Sequence, residues 1–245
     1  MTDSEIIDVL KSKYSRDLFP VFGGDGSLVA QWRDAFKTKK AVLPIRNYSR
    51  CEKHEEMLKM LLDDNVNPKK DLLLKMTLHP LISCLMPKED LASDGTFCLA
   101  EAQIKNKDIT SAMRFDVYVN DNKYYSNVIA DGIIFSTPLG STGYWQSLTR
   151  MLFREGWGMT FIAPTQGVNS LILKTTDRVK IKFIRWTDVT VACDKLVESK
   201  HIEVDDEFNF SLSPENLAMV GYSEFMCFDC RKNRHSTILQ NQFIA

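Results

Sequence analysis

Two short stretches of the chain bring together residue types that do chemistry at close spacing. The first is Gly23-Gly24-Asp25-Gly26-Ser27. It follows the apolar run Leu18–Phe22 and precedes LVAQWRDAF, a pattern that predicts strand, glycine-rich turn and helix. Glycines at such a junction allow close backbone approach, and the N–H groups of the turn and helix N-terminus favour phosphate. A carboxylate in the middle opposes anion binding by its charge. It makes chemical sense as the acceptor of a proton from an attacking hydroxyl, or as a partner of a metal ion. Taken alone, the motif serves equally well as a tight turn with Asp25 as the helix N-cap.

The second stretch is DGIIFSTPLGSTGY, from Asp131 to Tyr144. An apolar strand runs into a loop dense in hydroxyls, with Gly140, Gly143 and Tyr144 among them. That composition suits sugars and phosphates, met through hydroxyl and backbone donors, with Tyr144 available for packing or hydrogen bonding. The plainer alternative is a polar hairpin loop.

These stretches need elements to hold them. Ile6, Ile7, Leu10 and Tyr14 recur at helical spacing, which predicts an amphipathic helix over residues 3–14. Ala41–Ile45 reads as a strand. Ser49 and Glu52 form a capping box ahead of a helix that buries Met57, Leu58, Leu61 and Leu62 and ends near Asp63–Asn65. Alternating strands and helices predict an α/β lobe with a Rossmann-like parallel sheet over residues 1–67. After Pro68 the pattern turns to short alternating runs. Phe115–Val119, Val179–Phe183, Val189–Ala192, Ile202–Val204 and Phe208–Leu212 predict a β-rich lobe over residues 68–229, a sandwich or open barrel. His235–Ala245 reads as a short helix, and the tail 230–245 is expected to pack back on the first lobe.

Composition narrows the function classes. Across 245 residues, 31 Lys+Arg against 32 Asp+Glu leave a net charge of −1, which excludes a generally basic nucleic-acid binder. With 44% hydrophobic residues the chain can bury a sizeable core. Its most apolar stretch, Leu72–Met86, is interrupted by Lys75, His79 and Pro80, short of the ~18 uninterrupted residues of a membrane span. The acidic, helical opening MTDSEIIDVLK is unlike a signal peptide, so the expectation is a cytoplasmic protein with no membrane partner. Six scattered cysteines do not make a disulfide framework. Cys227 and Cys230, with His235 beyond them, lack the second ligand pair of a structural zinc site, so no metal cluster is expected. His79 reads as a buried strand histidine, and Asp94-Gly95-Thr96 as a turn that mimics the first motif without its preceding glycines. No GxxxxGK[ST] is present, which excludes a Walker-A phosphate loop.

Together, GGDGS and DGIIFSTPLGSTGY resemble the motifs of the NAD kinase family, which pairs a GGDGT turn with a later DGxxxSTPTGSTAY loop. GGDG alone is shared with phosphofructokinases and with diacylglycerol and sphingosine kinases; the second motif is far more specific. The resemblance extends faintly over most of the chain. Phe97–Glu101 stands at an ALNE-like stretch, and Val191–Asp194 resembles the strand before a late Asp-Gly turn. It implies the same two lobes as the residue patterns, and transfer of a phosphoryl group from ATP or polyphosphate, with Mg²⁺, to the adenosine-ribose 2′-hydroxyl of NAD. Asp25 matches the family's catalytic aspartate, and Gly23, Gly24, Gly26 and Ser27 line the phosphate path. Glu101 and Asp131 match nucleotide-gripping carboxylates, while Thr137, Thr142, Gly143, Tyr144 and Ser147 fall around the adenosine and its ribose. A homodimer or homotetramer is implied as well. Several positions depart from the pattern: Ala100 replaces an asparagine, Leu139 a Thr or Ser, and Arg46-Asn47-Tyr48-Ser49-Arg50 a glycine-rich stretch. Those arginines suit phosphate as well as a solvated loop. The departures leave two further readings, a catalytically lapsed dinucleotide-binding protein and a kinase of another nucleotide or a lipid.

Overall fold

The computed structural model describes residues 3–46, 51–66, 71, 73–87 and 97–227. The expected capping box at Ser49, the Asp94–Thr96 turn, Cys230, His235, the C-terminal helix and the lobe boundary after residue 67 lie outside the described residues. The chain forms two compact units. One holds the residues up to His79 together with those from Leu217 onward, and the other is Pro80–Asn216.

The first unit opens with α1 (Asp3–Tyr14), β1 (Leu18–Phe22), α2 (Asp25–Lys37), β2 (Ala41–Ile45) and α3 (Glu52–Leu62), followed by the start of β3 (Met76–Leu85). Strands β1 and β2 pair in parallel, from Leu18 opposite Ala41 to Phe22 opposite Ile45. Pro20 fits because β1 has a single neighbour among the described residues, so a missing N–H breaks no second ladder there. The apolar stripes foreseen at helical spacing are buried where they matter. Leu10 and Tyr14 of α1 and Met57 and Leu61 of α3 close one core with Leu18, Leu43 and Ile45. Tyr14 also donates its hydroxyl to the Leu61 carbonyl at 2.8 Å, which locks α1 to the end of α3.

The second unit is built from the rest of β3, then β4 (Phe97–Cys98), β5 (Glu101–Asn106), β6 (Met113–Val119), β7 (Asn122–Ala130), β8 (Gly132–Ser136), α4 (Tyr144–Thr149), β9 (Trp157–Ile162), β10 (Leu171–Leu173), β11 (Arg178–Phe183), β12 (Thr187–Cys193), β13 (Leu196–Ile202) and β14 (Glu207–Val220). One ladder runs β14-β11-β6-β7, and a six-stranded sheet runs β10-β9-β8-β5-β12-β13. Their inner faces share one core, in which the rings of Phe135 and Phe210 stack with centroids 3.9 Å apart. The result is a sandwich rather than an open barrel. The tail of β14 returns to the first unit, where Met219 pairs with Val42, and α5 (Tyr222–Phe225) follows. The fold class read from the residue patterns, an α/β lobe plus a β-rich lobe, is the one observed.

One strand was misplaced by that reading. Of the expected run Ile202–Val204 only Ile202 lies in a strand, as the last residue of β13, which starts at Leu196. As an edge strand exposed from Leu196 to Ser199, β13 carries no inside–outside alternation, and its ladder with β12 makes it a strand. His79 is buried in β3 against the Tyr222 ring, and burial pushes its imidazole down to about 3.

Candidate active site

In the first unit, the parallel pair ends at Phe22 and Ile45, and Gly23 donates its N–H to the Ile45 carbonyl at 2.8 Å. The chain then turns through Gly23 at φ +124°, a conformation that any side chain would strain. A Cβ there would also collide with Ser27. Gly24 caps α2 in an extended conformation, and Asp25 is the first helical residue. Asp25 is therefore not the N-cap that the plainer sequence reading allowed. At that position a carboxylate is stabilised by the helix dipole. Gly26 faces open space, so the backbone of the opening turn is approachable.

The Asp25 carboxylate is held by Arg46, whose Nη2 lies 2.5 Å from Asp25 Oδ1. Arg46 follows β2 directly, and the β1–β2 register sets its backbone beside the glycine turn. Its Nε donates to the Phe225 carbonyl at 3.0 Å, and its guanidinium lies over the Phe225 ring at 4.4 Å. His54 Nε2 approaches the same carbonyl at 3.1 Å.

In the second unit, β5 alternates Ala102 and Ile104 into the core with Glu101, Gln103 and Lys105 on the opposite face. Glu101 Oε1 accepts the Trp145 N–H at 2.9 Å, and Gln103 donates to Oε2 at 3.3 Å. Glu101 thus closes the start of α4. Burial pushes its carboxyl up to about 7 against the pull of the Trp145 N–H, with the Asp194 charge adding to the rise. Next to it, Lys105 Nζ sits 4.5 Å from the Tyr144 ring centroid, and at the exposed Gly143 a Cβ would come within 3.4 Å of Glu101 Oε1. Trp145 is buried over Gly158, where a Cβ would come within 2.6 Å of the indole.

The hydroxyl-rich loop is built differently from its sequence reading. Thr137 is fully buried and donates to the Leu99 carbonyl at 2.7 Å. Ser141, also fully buried, donates to Pro138, and Thr142 donates to Leu139 at 3.0 Å. These hydroxyls satisfy the carbonyls of a tight, irregular backbone, as buried polar groups must. Ser147 is exposed and donates to the Tyr144 carbonyl. Glu101, Gly143 and Tyr144 are brought together. Asp131 stands at the opposite end of the β5–β8 ladder from Glu101, which pairs with Ser136 while Lys105 pairs with Gly132. Asp131 lies exposed ahead of the far end of β8, about 16 Å from Ser136 at ~3.3 Å per residue.

Sequence reasoning missed the role of Asp194. Its carboxylate accepts the backbone N–H groups of Leu99, Ala100 and Glu101 at 2.7, 2.9 and 3.0 Å. It sits at φ +56° in the tight turn between β12 and β13. The only local signal was a short polar residue at a hairpin turn.

The sequence model of the ATP-NAD kinase C-terminal domain matches residues 99–221, half of the chain. The chain belongs to this family. An NAD kinase of Buchnera aphidicola subsp. Schizaphis graminum is 26% identical over 122 residues, which are 48% of this chain and 41% of that relative. The chain therefore spans well under two thirds of that relative's length. Two solved structures share the fold. Yeast NADH kinase complexed with NADH superposes with a TM-score of 0.66 at 17% identity, covering 86% of this chain and 64% of that one. An NAD kinase from Archaeoglobus fulgidus in complex with ATP gives 0.65 at 15% identity, covering 92% and 93%.

Within this ATP-NAD kinase C-terminal domain, two departures from the motif have a structural reason. Leu139 is 2% exposed, so a hydroxyl there would face the protein, and its loss removes no donor from the surface of the site. Ala100 keeps its backbone fully engaged, its N–H on Asp194 and its carbonyl accepting from Thr137. A shorter side chain leaves that scaffold intact.

Proposed function

We propose that the chain is an NAD kinase, transferring a phosphoryl group from ATP or polyphosphate to the adenosine-ribose 2′-hydroxyl of NAD to give NADP. The observation that carries this reading is Asp25 at the first position of α2 beyond the glycine turn, in a chain of this family. The 2′-oxygen bonds to the terminal phosphorus as the bond to the donor's bridging oxygen breaks, and Asp25 receives the hydroxyl proton. Phosphoryl transfer demands positioning and charge neutralisation rather than covalent catalysis. Gly24 and Gly26 offer backbone N–H groups to the phosphates, while Gly23 and Ser27, whose N–H groups are donated to Ile45 and Gly24, shape the turn that lines their path. Glu101, Gly143 and Tyr144 grip the nucleotide, with Asp131, Thr137, Thr142 and Ser147 as further members of its surroundings; Thr137 acts through the loop it braces. The ligands named for the yeast and archaeal neighbours, NADH and ATP, support both substrate classes.

Magnesium enters with the triphosphate. Among the described residues no group of three His, Cys, Asp or Glu side chains is arranged to hold a metal. Mg²⁺ needs no such group of its own, because it binds through few carboxylates, substrate phosphates and waters. The ion would neutralise charge on the phosphates. No helix of the described residues is long and apolar enough to cross a membrane. A cytoplasmic homodimer or homotetramer completes the reading.

The test is direct. Purified protein mixed with NAD and MgATP should yield NADP, read by an NADP-specific dehydrogenase. Asp25→Asn should cut turnover by ~10²–10⁴-fold, the usual worth of a general base, while NAD binding by calorimetry stays within a few-fold. Binding of NAD without turnover from ATP or polyphosphate would make the chain a dinucleotide-binding protein instead. Turnover confined to another nucleotide or a lipid would make it a different kinase.

A further inference from the structure

Asp25 and Arg46 are 21 residues apart, yet the end of β2 delivers the arginine to the glycine turn. Three features distinguish this pair from an ordinary surface ion pair. The Arg46 side chain is 17% exposed and that of Asp25 34%, so both are largely withdrawn from solvent. The guanidinium is fixed from behind by the Phe225 carbonyl at 3.0 Å and by the Phe225 ring below its plane. The same carbonyl is approached by His54 from α3, which ties the anchor to a second helix. A guanidinium suits this place because its rigid fork presents several donors in one plane while its face stacks on an aromatic ring. A flexible ammonium cannot do both at once.

We infer that Arg46 is a positioning residue for Asp25, holding its carboxylate in the rotamer that meets the acceptor hydroxyl. The inference rests on the proposed role of Asp25 as proton acceptor. Arg46 acts through Asp25 and needs no contact with either substrate. Its loss therefore misdirects the carboxylate without weakening substrate binding.

The experiment has two arms, so that the two ideas fail separately. In the first, three-bond N–Cγ and C′–Cγ couplings of Asp25 are measured by NMR in the wild type and in Arg46→Ala. A single rotamer in the wild type and averaged couplings in Arg46→Ala are expected. Unchanged couplings in Arg46→Ala would overturn the inference whatever the activity. In the second arm, Arg46→Ala should lower kcat by about 10²-fold, the cost of misplacing a reacting group by ~1 Å, with KM for NAD and MgATP changed less than about threefold on the same reasoning. Added guanidinium salt at tens of millimolar should restore part of kcat, and Arg46→Lys should restore less than guanidinium does. Guanidinium should rescue nothing in the Asp25→Asn/Arg46→Ala double variant. A raised KM with unchanged kcat, or averaged couplings with unchanged kcat, would likewise sink the inference. Should Arg46→Ala not fold, Arg46→Gln carries the same measurements. A wild type that converts no NAD with any donor would remove the kinase reading, and the couplings alone would then decide whether Arg46 sets the Asp25 rotamer.

Discussion

Asp194 accepts the backbone N–H of Glu101 at 3.0 Å across 93 residues of chain, and it takes the two preceding N–H groups as well. One short carboxylate thereby shapes the segment that carries Glu101, while its charge helps push the Glu101 carboxyl up. The β12–β13 turn is thus part of the site although none of its own groups faces a nucleotide in the proposed scheme. Removing the carboxylate in Asp194→Ala strands three donors, of which those in buried surroundings cost ~1–3 kcal/mol each. A loss of at least ~2 kcal/mol in urea unfolding is expected. Asp194→Asn keeps an accepting oxygen and should lose less.

Glu101 and His79 tilt the pH dependence of stability in opposite directions. The Glu101 carboxyl, at about 7 in the folded chain against an ordinary 4.5, binds more protons when folded. Its contribution is complete below 4.5 and is lost as pH rises through about 7. His79, at about 3 against 6.5, binds fewer protons when folded. Its contribution is complete above 6.5 and is lost as pH falls toward about 3. Between pH 4.5 and 6.5 the two slopes oppose each other. Thermal unfolding of Glu101→Gln should therefore show stability rising more steeply with pH in that window than in the wild type. His79→Gln should tilt the other way. Parallel curves for all three proteins would contradict both assignments.

Gly140 lies where a Cβ would collide with the Ala100 carbonyl and come within 2.6 Å of Ser136 Oγ. Backbone cannot step aside as a flexible side chain can. Gly140→Ala should cost ~1–3 kcal/mol or more, the range for overpacking. Because Ala100 is adjacent to Glu101, NAD affinity should fall together with melting temperature. A stable variant with wild-type affinity would show that the loop tolerates a shift that this packing forbids.

Tyr14 donates to the Leu61 carbonyl, and burial followed by the Asp63 charge pushes its phenol up to about 12. Lys13 Nζ also reaches that carbonyl, at 3.2 Å. In Tyr14→Phe the carbonyl keeps a donor, so the loss should fall near the low end of a hydrogen bond's worth, ~0.5–1 kcal/mol. Denaturant unfolding measures it. A loss above ~3 kcal/mol would mean that the carbonyl is left unsatisfied.

Much of the fold was legible because it rests on local periodicity. Leu10 and Tyr14, or Met57 and Leu61, fall four residues apart on one helix face, and Phe115 and Val117 alternate into the core. Gly23 was legible for a similar reason, since a backbone at φ +124° admits little else. Edge strand β13 was not, because strands exposed on both faces carry no alternation to read.

The site divides in the same way. Residue type and order placed Asp25 at the junction of β1 and α2, and the family resemblance marked Glu101 and Tyr144 for a nucleotide. Tertiary structure decided which groups they answer to. Arg46 meets Phe225 across 179 residues, Asp194 meets Leu99 across 95, and the hydroxyls of Thr137 and Ser141 turn inward to carbonyls. Such partnerships depend on which strands are neighbours and in what register. A local pattern holds the propensity of a segment, whereas hydrogen bonds and charges are satisfied only by whatever the completed fold brings within reach.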